Sequence, residues 1–396
     1  MTAKLVLGLG GTVDYEIAWD SRVFEELVAA YAIRDAELNI SRPIQDERDL
    51  VIAVLGFMKV GAGGERFVAT SDLLAAFAAR FDMRVTLGGT PVRAAAAMGA
   101  LGVTGTLHLV SIDDDVRRLL PAGCAYICSA REDSTDPHLI VQYSQGAQVR
   151  SGDIDIRAPH PNRVILVNDP PNRELLLSDE LPAVLSDAAV FLISGFNTMQ
   201  SADLLDQRLL ELKQHMGHLP PDAVVFYEDA GFHFPQLSQR VRDALVASVD
   251  VYSLNEDEMQ AYLGRPLDLL DPDAMASALD ELRTLIPATT LVVHTKYWSL
   301  ALGERAHDYA DGLRGGITMA STRYRYGDHY GEREYREVGH RLPSNPGGAQ
   351  FAEKLETKMG HTVCCIAGLV VDTPHPTTIG LGDTFVGGFI AALAQN

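Results

Sequence analysis

Near the C-terminus of this 396-residue chain, Ile379-Gly380-Leu381-Gly382-Asp383-Thr384-Phe385 combines the residue types that hold phosphate. Two glycines let the backbone approach a ligand closely. The apolar run Val386 to Leu393 predicts a helix whose N-terminus turns free N–H groups and a positive dipole end toward that ligand. Gly380, Leu381 and Gly382 are therefore candidate anion-hole residues. Asp383 falls in the first helical turn, where a carboxylate serves either as a cap or as a functional acid.

A second cluster, Ser253-Leu254-Asn255-Glu256-Asp257-Glu258, follows a short apolar run. Asn255 and Glu258 are three residues apart and share a helix face, which suits holding hydrated Mg²⁺ against nucleotide phosphates; a plain capping turn fits the same residues. In Val224-Val225-Phe226-Tyr227-Glu228-Asp229 a buried strand ends in two carboxylates, either ligand-facing or simply solvated. At the other end of the chain, Gly10-Gly11-Thr12-Val13-Asp14 puts a carboxylate just past a strand tip. Asp14 could accept hydrogen bonds from adjacent sugar hydroxyls, or close an Asx turn. Gly88-Gly89, ahead of an Ala-rich helix, permits similar close approach of a ligand.

These residues need elements to carry them. Lys4–Leu9 reads as the first strand, Ser21–Ala36 as a helix, and Asp49–Phe57 as a strand that stops at Gly61-Ala62-Gly63-Gly64. Helices are predicted over Leu73–Phe81 and Pro91–Leu101. The turn-rich stretch from Gly102 to Arg163 suggests several short strands of a small β-rich lid. After Arg163 the pattern alternates regularly, with strands at Val164–Asn168, Ala189–Ser194, Ala223–Glu228, Val251–Ser253 and Thr290–His294. A two-strand region around Arg323–Tyr335, a strand at Val363–Val371 and a terminal helix from Gly382 complete the expectation. The whole is an α/β fold, a doubly wound, mostly parallel sheet flanked by helices. It divides into 1–163, which interleaves the first strand with most of the lid, and 164–396, the large domain with the phosphate motifs.

Composition narrows the partners. Lys plus Arg number 33 against 53 Asp plus Glu, and the net charge of -20 repels polyanions, so nucleic acid is not expected. An acidic protein holds a nucleotide through backbone N–H groups, helix dipoles and a bound cation, so Mg²⁺ is expected. Without a signal-like N-terminus or a membrane-length apolar run, the sequence suggests a cytoplasmic protein, a monomer or small homo-oligomer, with its four cysteines reduced.

Taken in order, these segments resemble the ribokinase superfamily, and within it the ADP-dependent glucokinase and phosphofructokinase family. The resemblance also rests on Gly61 to Phe67, Asn162-Arg163-Val164-Ile165, Ile193-Ser194-Gly195-Phe196 and Val292-Val293-His294-Thr295. It implies a ribokinase-like kinase that uses ADP as donor, Mg²⁺ as cofactor and a sugar or sugar phosphate as acceptor. By the same resemblance Asp383 is the general base, and Glu228 and Glu258 act through the metal. Asp14, Glu65, Gly88 and Gly89 line the sugar site, while Asn255, His294, Val371 and Gly382 contact the nucleotide. An ATP-dependent kinase of the same fold, or a weakly catalytic nucleotide- or sugar-binding sensor, would share these motifs. Two positions depart from the family pattern: its His-x-Glu element is Phe226-Tyr227-Glu228 here, and its Gly-Gly-Asn or Gly-Gly-Gln is Gly88-Gly89-Thr90. Arg93, Arg163, Arg173 and Arg323 are the cations available to a phosphorylated acceptor.

Overall fold

The computed structural model describes residues 4–232, 234–374 and 376–395. In chain order the strands are β1 (Leu5–Leu7), β2 (Thr12–Ile17), β3 (Gly64–Phe67), β4 (Met83–Gly88), β5 (Thr106–Leu109), β6 (Ala125–Cys128), β7 (His138–Tyr143) and β8 (Gln148–Ser151). They continue as β9 (Ile154–Arg157), β10 (Asn162–Val167), β11 (Val190–Ile193), β12 (Val224–Glu228), β13 (Val251–Asn255), β14 (Thr290–His294), β15 (Trp298–Leu302) and β16 (Val363–Ala367). Nine of them form a sheet in the order β16-β15-β14-β13-β12-β11-β1-β5-β6, five form a second sheet in the order β3-β10-β7-β2-β4, and β8 and β9 pair as a hairpin. In the nine-stranded sheet only β15 pairs antiparallel, with β14 and with β16. Because side chains alternate faces along a strand, β1 sends Val6 into one core and Leu5 and Leu7 into the other. Helices cover both faces, as a buried parallel sheet requires.

Several predicted elements differ. Asp49–Phe57 is helical, inside Glu47–Val60: the Asp46 side chain caps Asp49 N, and Gly61 at φ 70° ends the helix. Leu50 to Leu55 are fully buried, so no polar face interrupts the run and its period is hidden. Arg323–Tyr335 lies in two helices, Ala310–Tyr326 and Glu332–Arg341, because the Arg/Tyr alternation that mimics a strand belongs to a helix broken at Gly327. Between Gly102 and Arg163, β5 and β6 join the large sheet and only β7 to β10 lie outside it. Conversely β10 pairs with β3 and β7 in the smaller sheet, so a division at 163/164 falls within a strand of that sheet. The strand predicted to reach Val371 stops at Ala367, where Gly368 N turns to donate to Tyr297 O.

The terminal helix, Leu381–Leu393, is held from two sides by glycine contacts. A Cβ on Gly388 would stand 2.4 Å from Gly315 O of Ala310–Tyr326, and one on Gly387 would stand 2.7 Å from Ala94 O of Thr90–Gly99. Backbones at that spacing admit no side chain, so the helix cannot slide or rotate without opening both seams. Phe389 locks it further against Phe226, their rings 5.2 Å apart. Phe226 is thus a fully buried core residue. No described helix is long and apolar enough to cross a membrane. Cys364 and Cys365 are buried, Cys124 and Cys128 partly so, and all four are free thiols.

Candidate active site

A cavity of about 280 Å³ lies where the two sheets meet, lined by Asp14, Glu65, Gly89, Arg93, Gly380 and Asp383 among others. Asp14 stands on β2, 4% exposed, and accepts from Thr12 Oγ1 at 2.7 Å. Gly88 lies opposite Thr12 in the β2/β4 register, and a Cβ there would meet Thr12 Oγ1 at 2.3 Å and Asp14 Oδ2 at 2.4 Å. Gly88 thus makes room for the Asp14 carboxylate, while Gly89, at φ 84°, faces the cavity and begins the helix Thr90–Gly99.

Asp383 reaches the same cavity from the first turn of Leu381–Leu393, its side chain 25% exposed. It caps nothing there; instead its Oδ1 accepts from Thr90 Oγ1 at 2.8 Å. Arg93 lies between the two carboxylates, with Nη2 2.8 Å from Asp14 Oδ2 and Nε 3.7 Å from Asp383 Oδ2. Burial alone would lower the guanidinium pKa, but Asp14 and Asp383 outweigh it and raise it. Behind the loop, Arg323 Nε donates to Ile379 O at 2.9 Å and pairs with Asp328, which fixes the approach to Gly380.

A second group lies at the ends of β12, β13 and β14. Glu228, 5% exposed, accepts from His294 Nε2 through Oε1 at 2.9 Å, while its Oε2 is buried with no hydrogen-bond partner among the described residues. Asn255 caps Glu256–Leu263 and forms a capping box with Glu258, whose Oε2 accepts from Asn255 N at 2.7 Å. The capping turn and the paired acid therefore coexist. Burial first, then the Glu228 charge, pushes the Glu258 carboxyl up to about 8. A buried carboxylate with an unused oxygen beside a half-buried one fits a hydrated Mg²⁺, which takes one or two carboxylates and completes its shell with water and phosphate. No group of three His, Cys, Asp or Glu arranged to hold a metal alone occurs among the described residues. Asp229 turns away from Glu228 and accepts from the hydroxyls of Tyr227, Tyr252 and Tyr262 at 3.0, 2.9 and 2.7 Å, anchoring the strand end.

His294 connects the two groups. Its ring stacks on Phe385 at 4.5 Å, and its Cε1 lies 3.4 Å from where a Gly382 Cβ would be. It therefore touches the glycine loop from beneath, buried, and does not line the cavity. Val371 lies beyond β16, half-buried and also outside the cavity.

Two residues that sequence reasoning passed over, His138 and Asn172, complete the cavity wall, and Asp169 holds both from behind. His138 begins β7 in register with Asp14, and its Nε2 lies 3.1 Å from Asp169 Oδ2. Asn172 Nδ2 donates to that same oxygen at 2.7 Å and to Gly11 O at 2.8 Å, tying the smaller sheet to the loop after β1. The available signals were faint: a His heading an apolar strand, and an Asp-Pro-Pro-Asn turn after another. Burial alone would lower His138, but the Asp169 hydrogen bond and charge outweigh it and bring it to about 9. A raised pKa in the folded state means stability that is fully present below the unfolded value near 6.5 and is lost as pH rises through about 9. Denaturant unfolding at pH 6 and pH 10 should show wild type losing about 2–4 kcal/mol more than His138→Asn. Equal losses in the two proteins would contradict the buried charge pair.

Of the four candidate arginines, Arg93 and Arg163 reach the cavity. Arg173 lines a neighbouring pocket of about 260 Å³, and Arg323 lies behind the loop. The Arg163 guanidinium has no hydrogen-bond or ion-pair partner among the described residues, and burial followed by the Arg93 charge lowers its pKa.

Residues 3–391 match the family model described as the ADP-specific phosphofructokinase/glucokinase conserved region. No curated protein matches significantly. Among solved structures, a phosphofructokinase from Pyrococcus horikoshii OT3 with AMP is similar at TM-score 0.80 and 17% identity, over 100% of this chain and 98% of that one. A last common ancestor of ADP-dependent phosphofructokinases from Methanosarcinales gives TM-score 0.75 at 16% identity, over 99% and 94% of the two chains. An ADP-dependent kinase in complex with fructose-6-phosphate and ADPβS gives TM-score 0.70 at 15% identity, over 99% and 93%. At these identities the likeness is one of fold.

Proposed function

We propose, from the premise that this chain belongs to the ADP-specific phosphofructokinase/glucokinase family, that it transfers the β-phosphoryl group of ADP to a hydroxyl of a sugar or sugar phosphate, with Asp383 as general base. Convergence in one cavity of Asp14, Glu65 and Gly89 with Gly380 and Asp383, drawn from opposite ends of the chain, is the observation that carries this reading. Asp14 and Glu65 would accept hydrogen bonds from acceptor hydroxyls, a contact that selects for those hydroxyls. Asp383, held at the mouth of the cavity by Thr90, would take the proton of the reacting hydroxyl. The amides of Gly380 to Gly382 would bear the phosphoryl charge. Asn255, His294 and Val371 are proposed for the nucleotide side, where His294 acts by supporting Gly382 from below. Glu228 and Glu258 would hold Mg²⁺, which when bound offsets phosphate charge.

The Arg163 guanidinium, which reaches the cavity and has no hydrogen-bond or ion-pair partner among the described residues, favours an acceptor that is itself phosphorylated, of the fructose 6-phosphate class, over a neutral hexose such as glucose. The test is a matrix of donors (ADP, ATP, GTP) against glucose, fructose 6-phosphate and other sugars, with kcat/KM for each pair. ADP with a sugar phosphate should rank first. Activity confined to ATP, or ligand binding without turnover for every pair, would replace this reading with one of its rivals.

A further inference from the structure

We propose that Arg93 is a catalytic residue that binds the phosphoryl group in transit and is released for that task by the acceptor; this rests on the transfer reading above. The guanidinium is buried, with Arg93 8% exposed, and lies against the N-cap of the terminal helix. A Cβ on Gly380 would stand 2.8 Å from Arg93 Cδ and 2.9 Å from Nη1. The three heavy atoms nearest that Cβ among the described residues all belong to Arg93. Nη2 is spent on Asp14, whereas Nη1 has no hydrogen-bond partner among the described residues. Thr90 and Arg93 are three residues apart on one helix, so a single turn presents the hydroxyl that holds Asp383 and the cation beside it.

The position of Nη2 gives the order of events. Before the acceptor binds, Asp14 is occupied by Arg93, so hydroxyls that bind Asp14 must displace it. The guanidinium then presents two freed N–H edges toward Gly380, where the donor's terminal phosphoryl arrives. Arg suits this because its planar fork matches two phosphoryl oxygens at once. In the step itself the acceptor hydroxyl gives its proton to Asp383 and its oxygen bonds to phosphorus. The bridging P–O bond breaks, and its electron pair leaves on the nucleoside monophosphate.

Arg93→Ala and Arg93→Lys in the full chain test this, with Arg93→Lys keeping the charge should Arg93→Ala fold badly. Turnover should fall about 100-fold in Arg93→Ala and about tenfold in Arg93→Lys, with the donor KM little changed and the acceptor KM unchanged or lower, since Asp14 no longer has to be freed in Arg93→Ala. Free guanidinium at millimolar concentration should restore Arg93→Ala in part and leave Arg93→Lys unaffected, which a structural role would not produce. Orthovanadate titrated calorimetrically with AMP and fructose 6-phosphate present supplies a phosphoryl mimic without turnover, and its binding should weaken about tenfold in Arg93→Ala. Unchanged kcat in a folded variant, a defect confined to acceptor KM, or unchanged vanadate binding would each overturn the assignment. If wild type phosphorylates no acceptor, the transfer reading falls, and the vanadate arm still decides whether Arg93 meets a phosphoryl group.

Discussion

Asp383→Asn is expected to lower phosphoryl transfer by about 10²–10⁴-fold while leaving the fold intact. Asn keeps the size of the side chain and an oxygen to accept from Thr90 Oγ1, so the 2.8 Å contact that orients it can persist. What it loses is the basic oxygen and the negative charge facing Arg93. The helix that carries it is held by Gly387, Gly388 and Phe389, away from the carboxylate, so the change should not loosen it. ADP and acceptor affinities measured by calorimetry should stay near those of wild type. Turnover within a factor of a few of wild type would remove Asp383 from the role of base.

Glu228→Gln should move activity and stability in opposite directions. Glu228 is buried beside Glu258, one of its oxygens has no partner, and its charge raises the Glu258 pKa. Neutralising it without changing its shape relieves a like-charge contact, so the metal-free protein should unfold at the same or a higher temperature. The acceptor atom toward His294 is kept. Activity should fall by at least about 100-fold, and more Mg²⁺ should be needed to reach half of what remains, since one of two carboxylates is lost to the cation. A variant that loses stability and keeps its Mg²⁺ requirement would show that Glu228 is a structural partner of His294 and not a metal ligand.

The parts of this site that read directly from the sequence are those whose chemistry is contiguous. Gly380 to Asp383 lie on one turn entering a helix, Asn255 and Glu258 on another, and Glu228 ends an apolar strand; each carries its own local signature. Arg93 does not. It meets a carboxylate 79 residues before it and another far toward the C-terminus, and only the β2/β4 pairing and the glycine seam of the terminal helix bring the three together. The His138 and Asp169 pair is hidden for the same reason, since His138 begins β7 and Asp169 follows β10, two strands that pair antiparallel in the smaller sheet. In the fold, the parallel strands β11 to β14 were legible because flanking helices alternate with them regularly. The helix Glu47–Val60 was not, because complete burial removes the polar stripe by which a helix differs from a strand in sequence.

Incubation of the wild-type protein with ADP, Mg²⁺ and fructose 6-phosphate, followed by ³¹P NMR, tests the central claim most directly. AMP and a newly phosphorylated sugar should appear in equal amounts, with inorganic phosphate at background and no product from Asp383→Asn. AMP accompanied by inorganic phosphate and no sugar product, or product formed equally well by Asp383→Asn, would contradict it.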